Sequence, residues 1–322
     1  DISKIWSVNV NNVGKMFTTA KASIGKFPGG GSAPAAVGDR GVFGGGDSGA
    51  YSNIIDYVTI STPGNAIDFG DLTLRRMGLA ACSNNVIGVF GGGDYGNVTN
   101  VIEYITISSL GNAVNFGNLI GALFGLAACS NSTRGVFGGG DYGNVNVIDY
   151  ITISTPGNAT DFGDLTVGRG DLSACSNSTR GVFGGGYSGV SPANTMDYIT
   201  INSTGNATDF GDLTVSRYWL AACSSSVRGV FAGGISSSAP NGLNIIDYIT
   251  IATPGNATDF GDLTLVDYMG ASCSSSVRGV FVPGGSGAIT INYVTIATTG
   301  NAVNFGNLTV ARYGMAGCSD GH

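Results

Sequence analysis

Six times along this chain the phrase GVFGGG or a close relative recurs. It begins at Gly41, Gly88, Gly135, Gly181, Gly229 and Gly279, with spacings of 47, 47, 46, 48 and 50 residues. Each copy passes the same four stations in order: GVFGGG, IDYITI, DFGDLT and AACS. The Phe of DFGDLT always stands 13 residues before the Cys of AACS, and that Cys stands 6 residues before the next GVF. Only the stretch from the end of GVFGGG through the Ile of IDY varies, from 7 residues (285–291) to 12 (235–246). A repeated unit of this size cannot bury its apolar face alone, so the copies must stack on one another. One adjustable loop per otherwise constant unit is the plan of a binding surface on a rigid scaffold.

Composition narrows the unit to strands. Charged residues make up 11% of the 322 positions, against roughly 25% in an average protein. Gly (55), Phe (15) and Tyr (13) are abundant, and no sustained 3.6-residue period occurs. IDYITI and its copies alternate apolar and polar residues and are rich in β-branched and aromatic types, as strands are. TPGN, between IDYITI and DFGDLT, is a tight-turn signal. Four short strands per repeat predict a β-propeller blade.

The stations resemble the kelch repeat. An apolar strand (LAACS) precedes a hydrophobic-Gly-Gly strand (GVFGG), a Tyr strand (IDYITI), and an aromatic strand followed by Arg (Arg75, Arg169, Arg217, Arg312). Phe69, Phe116, Phe162, Phe210, Phe260 and Phe305 stand where kelch repeats carry Trp. The resemblance covers residues 31–319 and implies an all-β propeller of four-stranded blades. Phrases such as GNATDFGDLTV also resemble repeats in virion proteins of tailed marine phages, which implies a fibre or adhesin setting.

Seven blades are expected, with six as the alternative. The last copy ends on an extra first strand (314–319), while IWSVNV (5–10) and MFTTAK (16–21) align without gaps to IDYVTI and AIDFGD. Joining the two termini would close a seventh blade and remove open strand edges. Residues 1–30 are therefore expected to supply strands to the closing blade and to act as a docking segment, with residues 31–322 forming the propeller. All four Lys lie in the first 26 residues with Asp1 as the one acid, so that segment is +3 and the remainder −10.

Antiparallel neighbours put successive loops on alternate faces of the disc. The GVFGGG–IDY loop and the DFGDLT–AACS connection share a variable face, and the TPGN and SNST or SSSV turns share a constant one. Six Tyr are strand residues, and the other seven all fall on the variable face. The candidate ligand or partner residues are Asp47, Tyr51, Asp94, Tyr95, Asp141, Tyr142, Tyr187, Arg217, Tyr218, Trp219, Tyr268 and Tyr313. Tyr and Trp offer large contact area, a polar handle and a low entropy cost, and aromatic rings beside Asp suit sugars. Tyr218, Tyr268 and Tyr313 share a register with Met77 and Phe124, so packing between blades competes with exposure there. Trp219 stands where other copies have Gly, which favours a specific contact. Phe124 joins the same face.

Little supports catalysis or metal binding. The one His is His322, so Ser-His-Asp and His-based metal chemistry have no material. Cys82, Cys129, Cys175, Cys223, Cys273 and Cys318 occur once per copy without a CxxC pair, and read as small buried residues. Arg169-Gly170-Asp171 spells RGD once, a weak adhesion signal. Arg40, Arg134, Arg180, Arg228 and Arg278 precede GVF and are expected to bond structurally with Asp68, Asp161, Asp209 and Asp259. No basic stripe invites nucleic acid, and no apolar run nears the ~18 residues of a membrane span. The expectation is a non-enzymatic, cofactor-free binding module outside a cell or on a virion. It would recognise a surface glycan or protein of a host cell. The alternative is a structural virion or filament subunit whose variable face contacts other subunits or copies of itself. A carboxylate-only glycosidase is the third possibility and needs two carboxylates in one cleft.

Overall fold

A computed structural model describes residues 39–141, 143–285 and 287–321. Among them are six antiparallel four-stranded sheets and no helix. The second blade is typical: from the axis outward its strands are Ala80–Ser83, Ile87–Gly91, Val101–Thr106 and Val114–Asn118. The six innermost strands touch in a closed ring. Among the described residues no helix is long and apolar enough to cross a membrane.

The ring has six blades, which replaces the expectation of seven. Ala316–Ser319 is the innermost strand of the first blade, paired with Arg40–Gly44 in the register Val42↔Cys318. The chain's last strand thus completes the blade that Ile54–Thr59 and Ile67–Asp71 finish on the outside. That pairing satisfies the edge a seventh blade would have used. The segments 5–10 and 16–21, and the docking role given to residues 1–30, lie outside the described residues.

Seams between blades hold the core. Each of six apolar clusters mixes two neighbours: Val42, Ile55, Phe69 and Leu72 of the first blade meet Leu79, Phe90, Ile105 and Ile107 of the second. Within every blade the strand Tyr meets the outer-strand Phe edge-on, as Tyr57 does Phe69 with centroids 6.2 Å apart, a geometry worth about 0.5–1.5 kcal/mol beyond area. The outer edge is blunted by the next blade's turn. Gly111 N–H donates to Phe69 C=O (2.9 Å), Ala113 N–H to Asp71 C=O (2.8 Å), and Asn112 Oδ1 accepts from Asp71 N–H (3.0 Å). That close approach dictates the glycine of DFG: a Cβ on Gly70 would sit 2.5 Å from Gly111 O.

Inner strands are stitched by serines. The Ser130 hydroxyl donates to Ser83 C=O (2.7 Å) and accepts from Ser83 N–H (3.2 Å), and Ser176 does the same to Ser130. One hydroxyl of each neighbour thereby satisfies backbone groups that would otherwise face the axial channel unpaired.

Two charged stations fall differently from expectation. The arginines before GVF do not pair with Asp68, Asp161, Asp209 or Asp259. Arg134, for example, donates to Ile201 C=O of the next blade (3.1 Å) and lies 4.5 Å over the ring of its own blade's Tyr150. Carbonyl and ring are both within reach of the strand start, and the aspartates are not paired with any cation in the described residues. In the first repeat the buried arginine is Arg76, not Arg75, because the seam-facing position is the seventh after the Phe (69 to 76), the same offset as 162 to 169.

Candidate functional site

On the variable face, each connection between blades runs alongside the loop of the blade it enters. Tyr313 and Asp47 exchange backbone hydrogen bonds (2.8 and 3.0 Å), as do Met77 and Asp94, Gly170 and Tyr187, and Tyr218 and Ile235. One residue further on, the connections meet around the axis. Gly78 N–H donates to Gly314 C=O (2.8 Å), Gly314 to Met269 (2.9 Å), Met269 to Trp219 (2.8 Å), Trp219 to Asp171 (2.8 Å), Asp171 to Gly125 (2.6 Å), and Gly125 to Gly78 (2.8 Å). These six bonds close a ring around the channel mouth.

The ring needs a left-handed backbone at every member. φ is +64°, +65° and +68° at Gly78, Gly125 and Gly314, and +56° at Asp171, Trp219 and Met269. Glycine adopts this freely, whereas other residues there store roughly 1–3 kcal/mol each, a sign of function where it clusters. Half of the mouth is therefore bare glycine backbone, and the other half presents Asp171, Trp219 and Met269. Between them lies a cavity of about 70 Å³, floored by Leu79, Leu126, Leu172 and Leu220.

Aromatic rings extend from the mouth across three blades. Tyr187 lies 5.4 Å from Tyr218, Tyr218 lies 4.9 Å from Trp219, and Trp219 stacks on Tyr268 at 6.0 Å and 22° between planes. These spacings are contact distances, so the four rings form a strip and not a hollow cage. All four are half-buried. The strip resolves the competition between packing and exposure: the rings pack on one another while one surface stays in solvent.

Asp171 sits at the strip's inner end, 8% exposed. Burial, with help from the negative charge of Asp141, raises its pKa to about 7, and the Trp219 indole N–H opposes the rise. That N–H is itself buried and makes no hydrogen bond of normal geometry. A carboxyl and an indole donor thus lie side by side with hydrogen-bonding capacity left over.

The other sequence-derived candidates divide. Tyr51 is half-buried and its hydroxyl donates to Asp94 Oδ2 of the neighbouring blade (3.2 Å). Asp47 and Asp94 cap their own loops through Gly49 N–H (2.7 Å) and Gly96 N–H (2.8 Å). Tyr95 is exposed. Tyr313 is half-buried beside Asp47, and Asp141 is half-buried with its pKa raised by burial. Tyr142 lies outside the described residues. Arg217 does not reach the surface: its guanidinium is fully buried 3.0 Å from Asp247, because its position faces the seam. The RGD phrase fails for the same reason, with Arg169 buried against Asp197 at 2.9 Å.

Asp171 and Met269 were not among the sequence-derived candidates. The signal was available: both occupy the register of Trp219, where three copies have Gly. At the opposite mouth a cavity of about 200 Å³ is lined by Ser and Asn. There the amides of Asn84, Asn131 and Asn177 already donate to carbonyls of the next turn. Among the described residues no group of three His, Cys, Asp or Glu is placed to hold a metal. No protein-family model and no curated protein matches the chain.

Proposed function

We propose that this propeller is a recognition module, and that its variable-face mouth binds a surface glycan. One observation carries the reading. Asp171 and Trp219 hold a strained backbone at the axis, keep unspent acceptor and donor capacity, and open onto the Tyr187–Tyr218–Trp219–Tyr268 strip. An aromatic strip with one surface in solvent suits the apolar face of sugar rings, and a neighbouring carboxyl suits a sugar hydroxyl. Kelch-like membership and a place outside a cell or on a virion belong to the same proposal. They are supported by the Gly-pair, Tyr and Arg stations and by the phage-like phrasing of the repeats. The proposed role is binding without catalysis.

A structural subunit of a virion or filament is the second reading. It is favoured by Ile67, Val114 and Val303, about half-exposed on the outer strands of three consecutive blades, where the other three blades carry Thr160, Thr208 and Thr258.

Glycan-array and whole-cell binding of the purified protein, beside Trp219→Gly and Asp171→Asn, tests the first reading. Saturable binding lost in both variants is the expected result. Equal binding by wild type and both variants, or no glycan binding with self-assembly instead, overturns it.

A further inference from the structure

The seams hold a row of buried ion pairs. Arg76–Glu103, Arg169–Asp197, Arg217–Asp247 and Arg312–Asp56 meet at 2.9–3.2 Å with no side-chain exposure. Each guanidinium also donates to the carbonyl of the GVF Phe in the same acceptor blade: Phe90, Phe183, Phe231 and Phe43, at 3.3–3.4 Å. Arg76 reaches Gly92 C=O and Val101 C=O as well, at 2.8 Å. In the fifth seam both partners change together, to Asp267 and Asn292.

The remaining seam changes on one side only. Leu123 stands in place of the arginine and Ile120 in place of the threonine that elsewhere donates to the acid, as Thr166 does to Asp197 (2.5 Å). Asp149 is kept. It is 2% exposed, its Oδ2 accepts Ile120 N–H at 3.0 Å, and its buried Oδ1 has no partner. Its strand register against Phe137 matches that of Asp197 against Phe183. Leu123 Cδ2 lies 3.2 Å from the Cβ position of Gly140, where the arginine Cδ atoms lie 3.3 Å from those of Gly46, Gly93, Gly186 and Gly234. The leucine thus ends where the arginine stem ends, and among the described residues no cation pairs with the oxygens beyond.

We propose that the seam between the second and third blades binds a small monovalent cation, sodium or potassium. Its ligands would be Asp149 Oδ1 and the carbonyl oxygens of Phe137 and Gly139, the counterparts of those that receive guanidinium elsewhere. A buried carboxylate without a counter-ion is costly. One negative charge with neutral carbonyls matches a single positive charge, and hard cations take such oxygen ligands. The proposal is independent of the mouth and its ligand.

Thermal melts at pH 8 and constant ionic strength, in sodium, potassium or tetramethylammonium chloride, test it. Wild type is expected to melt several degrees higher in one of the small cations, the rise growing with the logarithm of concentration. Asp149→Asn is expected to melt alike in all three salts, and so is Leu123→Arg, which supplies the missing guanidinium. Should Leu123→Arg fail to fold, Asp149→Asn and an anomalous-scattering map of rubidium-soaked crystals decide. No salt-specific shift in wild type, a shift that survives Asp149→Asn, or no rubidium peak beside Asp149 would each overturn the site.

Discussion

The sulfur of Cys273, in the innermost strand of the sixth blade, rests on the α-carbon of Gly41 in the first. A Cβ added to Gly41 would stand 2.1 Å from it. The same contact joins Cys318 to Gly88, Cys82 to Gly135, Cys129 to Gly181, Cys175 to Gly229 and Cys223 to Gly279. The once-per-repeat Cys and the first Gly of GVF are therefore two halves of one seam contact. Gly41→Ala is expected to destabilise by about 1–3 kcal/mol through overpacking, and adding Cys273→Ala to recover part of that loss. Urea unfolding of the two single variants and the double variant measures the coupling; strictly additive effects would refute the pairing.

The six thiols should be inert in the native state. All are buried and unbridged, and burial pushes Cys129 and Cys318 up to about 12 and the others up as well. Thiol titration with a disulfide reagent at pH 8 is expected to find none in the folded protein and all six in denaturant. A fast native phase would contradict the ring of buried sulfurs.

Breaking an intact seam pair should cost far more than altering a surface charge. Asp247→Asn leaves the Arg217 guanidinium buried without its counter-charge, an expected loss of about 3–5 kcal/mol. Arg217→Leu with Asp247→Asn removes both charges and should cost less than Asp247→Asn alone, since it leaves no buried charge unpaired. Equal losses in the single and double variants would show that packing of the arginine stem, and not its charge, holds the seam.

Stability should fall as pH rises toward neutrality. Burial raises the Asp267 pKa to about 7, against the opposing hydrogen bonds from Gly284 and Tyr268 N–H. An unfolded Asp titrates near ~3.9, so the folded form binds its proton more tightly. The stability this contributes is fully present below about pH 4 and lost as pH climbs through about 7. Asp171 acts in the same direction. Asp267→Asn should flatten the slope of urea midpoints between pH 5 and 8, and an unchanged slope would remove Asp267 as its source.

Two ring substitutions should differ in cost. Trp219→Gly relieves a left-handed tryptophan and is expected to leave the melting temperature within a few degrees of wild type, strain relief offsetting lost ring contacts. Gly78→Ala places a Cβ 2.3 Å from the Phe124 ring on a backbone at φ +64° and is expected to destabilise by about 1–3 kcal/mol. Calorimetry distinguishes them, and equal losses would refute the role given to the left-handed ring.

The strand content, the four-station blade and the division into a variable and a constant face were all legible in the amino-acid order. Each rests on local chemistry: the two-residue alternation of IDYITI, the turn residues of TPGN, and a length variation confined to one loop. Repetition also marked Trp219 as an exception, because three other copies carry Gly at that position. What local order could not decide was every contact that crosses a seam. Whether Ala316–Ser319 closes a sixth or a seventh blade depends on which edge it meets, some 270 residues away in the chain, at Gly41–Gly44. Arg217 looks like a surface residue beside Tyr218 until the neighbouring blade brings Asp247 to it. Asp171 becomes a mouth residue only when six connections converge on the axis. These placements come from the curvature of stacked sheets, which a one-dimensional period does not contain.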